Sequence, residues 1–411
     1  VTKPNGSVVN GSSVASISFA ADIAGPYNVL LTVTDDEGVQ AQTSLGFDVD
    51  PRSPRSGSPG EEPTSCRNCG DSKVQACTFA SRGNNQISWR DPVATRGYPL
   101  RNRIFINSQS LFPTRTTDLG NASFSYGIEI LTATINGTPR RFVIDGNGTE
   151  LDFGPTSGAP TGEPGVFSVL TVNQNSYTLS GAGAPESIHE AGNFTYEFNS
   201  NGQLTSLTDP SGNTQALTYN SAGDLSLVTD LSSGRILTFE YDTPGQVARI
   251  VENGGVAITH LTYSSNRLTN INLKNSSAVT IRSLAVNYNS DGTMANVVRD
   301  GDSASTITYS YVPSGNGFSL GNMSWTGGGT NFSYFNAPGA GATYRVNQTN
   351  ALGGVTSHDF ERDGDLKRVV MPNFNGGSGS VTYTYAHDSA RNRTSWSNGI
   401  NSWTATYNAL G

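Results

Sequence analysis

Residues 198–230 read Phe198-Asn-Ser-Asn-Gly202-Gln-Leu-Thr-Ser-Leu-Thr-Asp-Pro-Ser-Gly-Asn-Thr-Gln-Ala-Leu-Thr-Tyr219-Asn-Ser-Ala-Gly223-Asp-Leu-Ser-Leu-Val-Thr-Asp230. An aromatic closes a short β-rich run, and a glycine follows four residues later in a polar turn. The same pairing recurs at Tyr241/Gly245, Tyr288/Gly292, Tyr311/Gly315, Phe335/Gly339, Phe360/Gly364 and Tyr407/Gly411. Tyr263 and His387 hold the aromatic place with Arg267 and Arg391 where the glycine would be. Steps between anchors run from 20 to 27 residues. A sustained period of this length signals a stacked repeat architecture.

Each unit reads as a hairpin. Ile307, Tyr309 and Tyr311 alternate with Thr306, Thr308 and Ser310; Val381, Tyr383 and Tyr385 alternate with Thr382 and Thr384. Leu237, Phe239 and Tyr241 alternate with Ile236, Thr238 and Glu240. That is the period of half-buried strands. Turn pairs such as Asn201-Gly202, Asp291-Gly292 and Asp363-Gly364 supply positive φ at little steric cost. A lone hairpin is marginal in water, so each unit must pair with its neighbours, and residues 191–411 are expected to form one long strip of β-hairpins.

"FEYDTPGQVARIV", "FNSNGQLTSLTDPSGNT" and "YNSAGDLSLVTD" resemble the YD repeats of the RHS family. The resemblance covers roughly 193–411 and implies a strip that spirals into a large hollow shell. Residues 66–190 contain "RIFINSQS" (103–110), "ASFSYGIEI" (122–130) and "RRFVIDGNGTELDFG" (140–154), similar to the β-rich lead-in segment that precedes such repeats, with Ile106 and Ile128 in place of the family's tyrosine and tryptophan. Residues 51–65 form a Pro/Ser/Gly linker. In 1–50, Tyr27, Val29, Leu31 and Val33 alternate before the turn Asp35-Asp36-Glu37-Gly38, and "AGPYNVLLTVTDDEG" resembles the C-terminal half of a PKD-type β-sandwich, an extracellular spacer. Asp35, Asp36 and Glu37 read as a solvated turn rather than a calcium site. The fold class is therefore all-β: a partial sandwich followed by a hairpin strip.

Of 411 residues only 14 % are charged, and the formal net charge is −8. That balance lacks the basic stripe a nucleic-acid partner would require. No apolar run reaches the length of a membrane-spanning helix. Cys66, Cys69 and Cys77 are the only cysteines. Cys66-x2-Cys69 is a metal-ligand spacing, but a structural zinc site needs four ligands, so a disulfide between Cys77 and one of the other two is favoured over a metal in a secreted protein.

The sequence holds no recognisable active-site motif. His189, His260, His358 and His387 have no metal spacing, and no nucleophile elbow or phosphate-binding loop appears. Gly327-Gly328-Gly329 and 375–380 read as loops. Asp300/Asp302 and Asp363/Asp365 fall in turns, where aspartate is favoured for its geometry. No catalytic residue, metal or cofactor is expected. Asn-x-Ser/Thr sequons begin at Asn5, Asn10, Asn121, Asn136, Asn147, Asn193, Asn275, Asn322, Asn331, Asn347 and Asn392, about the number the composition produces by chance. They are candidate N-glycosylation sites. Trp325, Trp396 and Trp403 suit the inner face of the strip, or sugar stacking if exposed.

The chain opens at Val1 and closes at Gly411, inside a fold unit at each end. The expected function is that of a non-catalytic extracellular or cell-surface structural protein, a fibre or filament subunit adding head to tail through open β ends. The alternatives are the first part of an RHS-type shell enclosing a C-terminal toxin, with the missing partner being the rest of the same polypeptide, or an adhesin that binds glycans.

Overall fold

Asparagine and aspartate start the turns of the strip. Asn199 Oδ1 accepts the backbone N–H groups of Asn201 and Gln203, and the N–H of Gly202 returns to Asn199 O. The same closed turn recurs at Asn220–Asp224, Asp209–Asn213 and Asn350–Gly354. This explains the four-residue step from aromatic to glycine: the Asx residue follows the aromatic, and the glycine closes the loop with φ of +79° at Gly202 and +88° at Gly223.

These turns connect strands in a computed structural model that describes residues 25–34, 40–49, 65–68, 74–79, 84–93, 100–107, 122–135, 137–162, 166, 168–181, 194–243, 245–314, 317–339, 342–361, 365–372, 379–388 and 393–406. From Val169–Val172 to Ser402–Thr404 the chain forms a single 21-stranded antiparallel sheet in which every strand pairs with its sequence neighbours. At about 4.8 Å per strand the strip is roughly 100 Å along its curve. A five-stranded sheet runs from Ser65–Asn68 to Ala122–Phe124, and Glu129–Ile135, Thr138–Ile144 and Glu150–Pro155 make a three-stranded one. Among the described residues the only helical element is the short 3-10 turn Ser303–Ser305.

A register irregularity recurs along the strip. Register shifts fall immediately before Phe198, Tyr219, Tyr241, Tyr263, Tyr288, Tyr311, Phe360 and His387. Each leaves one extra residue on the returning strand, for example Thr205 between Leu204, opposite Phe198, and Ser206, opposite Glu197. Ser226, Ala248 and Thr269 take the same place in the following units. Thr205, Ser226 and Thr269 donate their hydroxyls to Glu197 O, Thr218 O and Thr262 O, so the bulge is held by its own side chain. The extra residue also changes the apolar spacing from two to three. Leu204/Leu207, Leu225/Val228, Val247/Ile250, Leu268/Ile271, Met294/Val297 and Leu320/Met323 all point into one face and are buried. A bulge increases twist and bends its strand, so a bulge at the same step in successive hairpins gives the strip a consistent coil.

The lead-in segment covers that apolar face over the first half of the strip. Ile87, Trp89, Ile104, Phe124 and Tyr126 join Leu207, Val228, Phe239 and Ile250 in a single hydrophobic cluster. Phe124 meets Phe239 with ring centroids 5.3 Å apart. Asn102 Nδ2 donates to Thr259 Oγ1 at 2.9 Å and Tyr126 OH to Gln215 Oε1 at 2.8 Å. The Arg282 guanidinium lies 4.1 Å over the Trp89 ring. The three-stranded sheet joins at Gly202, whose carbonyl accepts Ile130 N–H at 2.8 Å.

Within 1–50 the described residues form one fully paired hairpin, Gly25–Thr34 with Gln40–Val49. Leu30, Thr32 and Thr34 are exposed on it, the set that alternates with Val29, Leu31 and Val33. The other strands of the expected sandwich, the acidic turn and almost all of the linker lie outside the described residues.

A Cβ added at Gly202 would stand 2.1 Å from Ile130 O on a backbone with φ of +79°. Gly202→Ala therefore has no relaxed solution at this junction. It is expected to lower stability by about 2 kcal/mol or more in urea unfolding, with faster hydrogen exchange at Ile130, whereas Gly212→Ala, with open space around its Cβ, should cost only the backbone strain.

Candidate functional site: the aromatic seam and the open inner face

The repeat anchors line up as a seam along the inner face. Tyr219 OH donates to Leu204 O at 2.7 Å, Tyr241 OH to Leu225 O at 2.8 Å, Tyr263 OH to Val247 O at 2.7 Å and Tyr288 OH to Leu268 O at 2.7 Å. Each bond crosses from one hairpin to the apolar residue that follows the turn of the hairpin before it. Those carbonyls sit at the bulge, where the ladder is locally interrupted. Burial drives the hydroxyls of Tyr219, Tyr241 and Tyr263 well above the ordinary tyrosine range, so they remain neutral donors. Phe198 and Phe360 hold the same place without a hydroxyl and are buried. Tyr311 packs against the core from the same position.

Phe335 is not an anchor. It is 47 % exposed, while Tyr334 packs on the core and donates its hydroxyl to Leu320 O at 2.8 Å. In the long strand Gly328–Gly339 the register shift falls between Asn336 and Gly339 instead of before the aromatic. Inward alternation from buried Phe332 therefore ends on Tyr334, and Phe335 turns to the outer face beside Arg345. Tyr407 lies outside the described residues.

The inner face opens toward the later repeats. In cross-strand register Tyr334 faces Val346, Val346 faces His358, His358 faces Val369 and Val369 faces Tyr383. Val346 is fully buried, but among the described residues no side chain after Val369 is buried. There the same face presents Tyr383 and Tyr385, then Trp396 opposite Tyr385 and Trp403 opposite Trp396. Tyr383 and Trp396 rings are 6.2 Å apart, Arg393 lies 4.8 Å over Tyr385, and Trp403 is 41 % exposed.

The outer face is polar and pairs across strands. Asn287 meets Asn296, Asn322 meets Asn331, and Glu240 forms an ion pair with Arg249. Its most buried ionic element is Asp359, held between Arg345 Nε at 2.5 Å and Arg368 Nε at 2.7 Å on the two flanking strands. Burial raises the Asp359 carboxyl, but the two guanidinium hydrogen bonds outweigh it and hold the group below the usual carboxylate range.

The residues considered for chemistry are dispersed. His260, His358 and His387 stand on three different strands, and His189 lies outside the described residues. Burial lowers the basicity of His358, which stacks on Phe360. Asp300 accepts Ser283 N–H and Asp302 caps the 3-10 turn, so these carboxylates serve the backbone. Asp363 lies outside the described residues. Among the described residues no group of three or more His, Cys, Asp or Glu is placed to hold a metal, and no helix is long and apolar enough to cross a membrane.

Of the sequons, Asn147, Asn275, Asn322, Asn331 and Asn347 are described. Asn147 and Asn275 accept backbone N–H groups in turns. Asn322 Nδ2, the atom a glycan would use, donates to Thr330 O and Asn331 Oδ1. Asn5, Asn10, Asn121, Asn136, Asn193 and Asn392 lie outside the described residues. Cys66 and Cys77 fall opposite each other in the pairing of Ser65–Asn68 with Val74–Phe79, and Cys69 lies outside.

Bulged hairpins sharing one aromatic seam define a tandem β-hairpin array. Residues 198–236 match the family model for the RHS Repeat, so the chain carries an RHS repeat where the seam begins. No curated protein matches the chain. Among solved structures, the TcdB2–TccC3 complex is similar at 12 % identity and a TM-score of 0.31, with 80 % of this chain and 20 % of that chain covered. The Tc holotoxin pore of Photorhabdus luminescens matches at 12 % and 0.30, covering 79 % and 19 %. A porin-like protein from Bacteroides uniformis matches at 14 % and 0.25, covering 52 % and 91 %. This chain spans about a fifth of the two toxin-complex chains.

Tyr241→Phe removes one inter-repeat hydrogen bond and leaves Leu225 O without it. A loss of about 1 kcal/mol in urea unfolding is expected, against about 3–5 kcal/mol for Tyr241→Ala, which also empties the seam. Asp359→Asn breaks a buried ion pair and should cost about 3 kcal/mol at neutral pH. Because the folded carboxyl titrates below its unfolded value, its contribution is present above about pH 4 and fades as pH falls through the folded value. Wild type and Asp359→Asn should therefore converge in stability as the pH falls through the folded carboxyl's own range.

Proposed function

We propose that this chain is a length of wall in an RHS-type β-shell, a non-catalytic container whose concave face encloses a polypeptide. The observation that carries this reading is the repeated bulge: a 21-stranded strip has the same irregularity before successive anchors, and each bulge bends and twists its strand. The lead-in segment packs on the apolar face of the first half, and the aromatic face around Tyr383, Trp396 and Trp403 continues that face. The family match at 198–236 supports the same reading. Its natural partner is further polypeptide, from the same chain or another, in an extracellular or cell-surface setting.

The filament reading has weaker support, because a strip that coils consistently turns its ends round instead of projecting them along an axis. Glycan binding rests on the half-exposed Trp403 alone. No catalytic step is assigned to any residue.

Electron microscopy of the full-length gene product tests the proposal. Discrete hollow particles of constant size, with a wall one sheet thick, are expected at all concentrations. Rods that lengthen with concentration would overturn it in favour of the filament.

A further inference from the structure

We propose that Cys66 and Cys77 form a disulfide that staples the outer hairpin of the five-stranded sheet, leaving Cys69 as the single thiol. The argument rests on backbone register. Strands Ser65–Asn68 and Val74–Phe79 pair antiparallel with Ser65 opposite Thr78, Cys66 opposite Cys77, Arg67 opposite Ala76 and Asn68 opposite Gln75. Directly opposed residues in an antiparallel pair have Cα atoms about 4.5 or 5.5 Å apart, depending on whether they exchange hydrogen bonds. A disulfide accepts Cα separations of about 4.4–6.8 Å. The register alone thus brings this pair into the bonding range. Cys69 follows Asn68, the last paired residue of its strand, so joining Cys69 to Cys77 would require the pairing to slip by three positions. Such an odd-numbered slip turns the alternation of the whole strand over.

The location gives the bond a purpose. Among the described residues Ser65–Asn68 is a four-residue strand at the end of its sheet's order, which runs on through Val74–Phe79, Asn84–Val93, Leu100–Asn107 and Ala122–Phe124. Two strands further in, Ile87 and Trp89 are buried under the strip. A short edge strand is weakly held by its hydrogen bonds, and a covalent link across it fixes the edge of the layer that packs on the strip's apolar face. The inference is independent of the shell reading and asks only for an oxidising environment.

In the reaction the two Sγ–H groups lose two protons and two electrons, one S–S bond forms, and oxidised glutathione takes them up to become two molecules of thiol. The sequence makes the pairing directly readable. Trypsin cleavage after Arg55, Arg67, Lys73 and Arg82 places the three cysteines in separate peptides, 56–67, 68–73 and 74–82. The full chain is equilibrated in a glutathione redox buffer, free thiols are alkylated, and the non-reduced digest is analysed by mass spectrometry. The expected result is peptide 56–67 linked to 74–82, with 68–73 alkylated or carrying glutathione, and the same link retained in Cys69→Ser. A 68–73 to 74–82 link, a 56–67 to 68–73 link, three alkylated peptides, or loss of the cross-link in Cys69→Ser would each overturn the assignment.

Discussion

The repeat region depends on one extra residue per hairpin. Where Thr205, Ser226, Ala248 or Thr269 is inserted opposite the step into the aromatic, three things follow together. The apolar residues before and after it, three apart in sequence, turn to the same face. A main-chain carbonyl at the interruption becomes available to the tyrosine of the following hairpin. The strand bends. Without the bulge a regular strand would send Leu204 and Leu207 to opposite faces, and the apolar side would lose half its residues.

An antiparallel sheet with one apolar face needs a second layer on that face. Here the layer comes from the chain itself, through Ile87, Trp89, Phe124 and Tyr126, and its polar edges are tied to the strip by Asn102 and Tyr126. The outer face needs no cover, since its asparagines, hydroxyls and paired charges stay in contact with water. This division explains how so long a sheet is built with so few charges: the side facing solvent relies on neutral polar pairs such as Asn287–Asn296, and ions are concentrated in clamps like that on Asp359.

Much of this was legible in the sequence. The aromatic–glycine step gave the hairpin period because the Asx turn fixes the distance between the two residues. Strand alternation at 237–241 and 307–311 located the inner face correctly, with Leu237, Phe239, Ile307 and Tyr309 all buried. The choice of Phe335 failed because two adjacent aromatics cannot be ranked by spacing alone; the inward alternation from Phe332 was the signal that pointed to Tyr334. The bulge had a signature too, in apolar pairs three apart within segments that otherwise alternate, as in Leu225/Val228 and Val247/Ile250. What the sequence did not carry was the docking of distant segments. Nothing near Gly202 announces Ile130, and nothing near Arg282 announces Trp89, because such contacts join surfaces whose residues are ordinary in their own local context.

Pairing in strict chain order has a kinetic consequence. Every ladder in the strip joins strands that are consecutive in sequence, so each new hairpin closes only a short loop onto an edge already in place. The entropy of such closures is small, and topologies built from local pairings form quickly for their size. The lead-in segment precedes the strip and supplies the first apolar surface against which it can grow. During synthesis the strip can therefore be laid down from its N-terminal end, one hairpin at a time. At its growing end the strip exposes only the newest strand, and each such edge is covered as soon as the next hairpin forms, which keeps its exposure to aggregation brief.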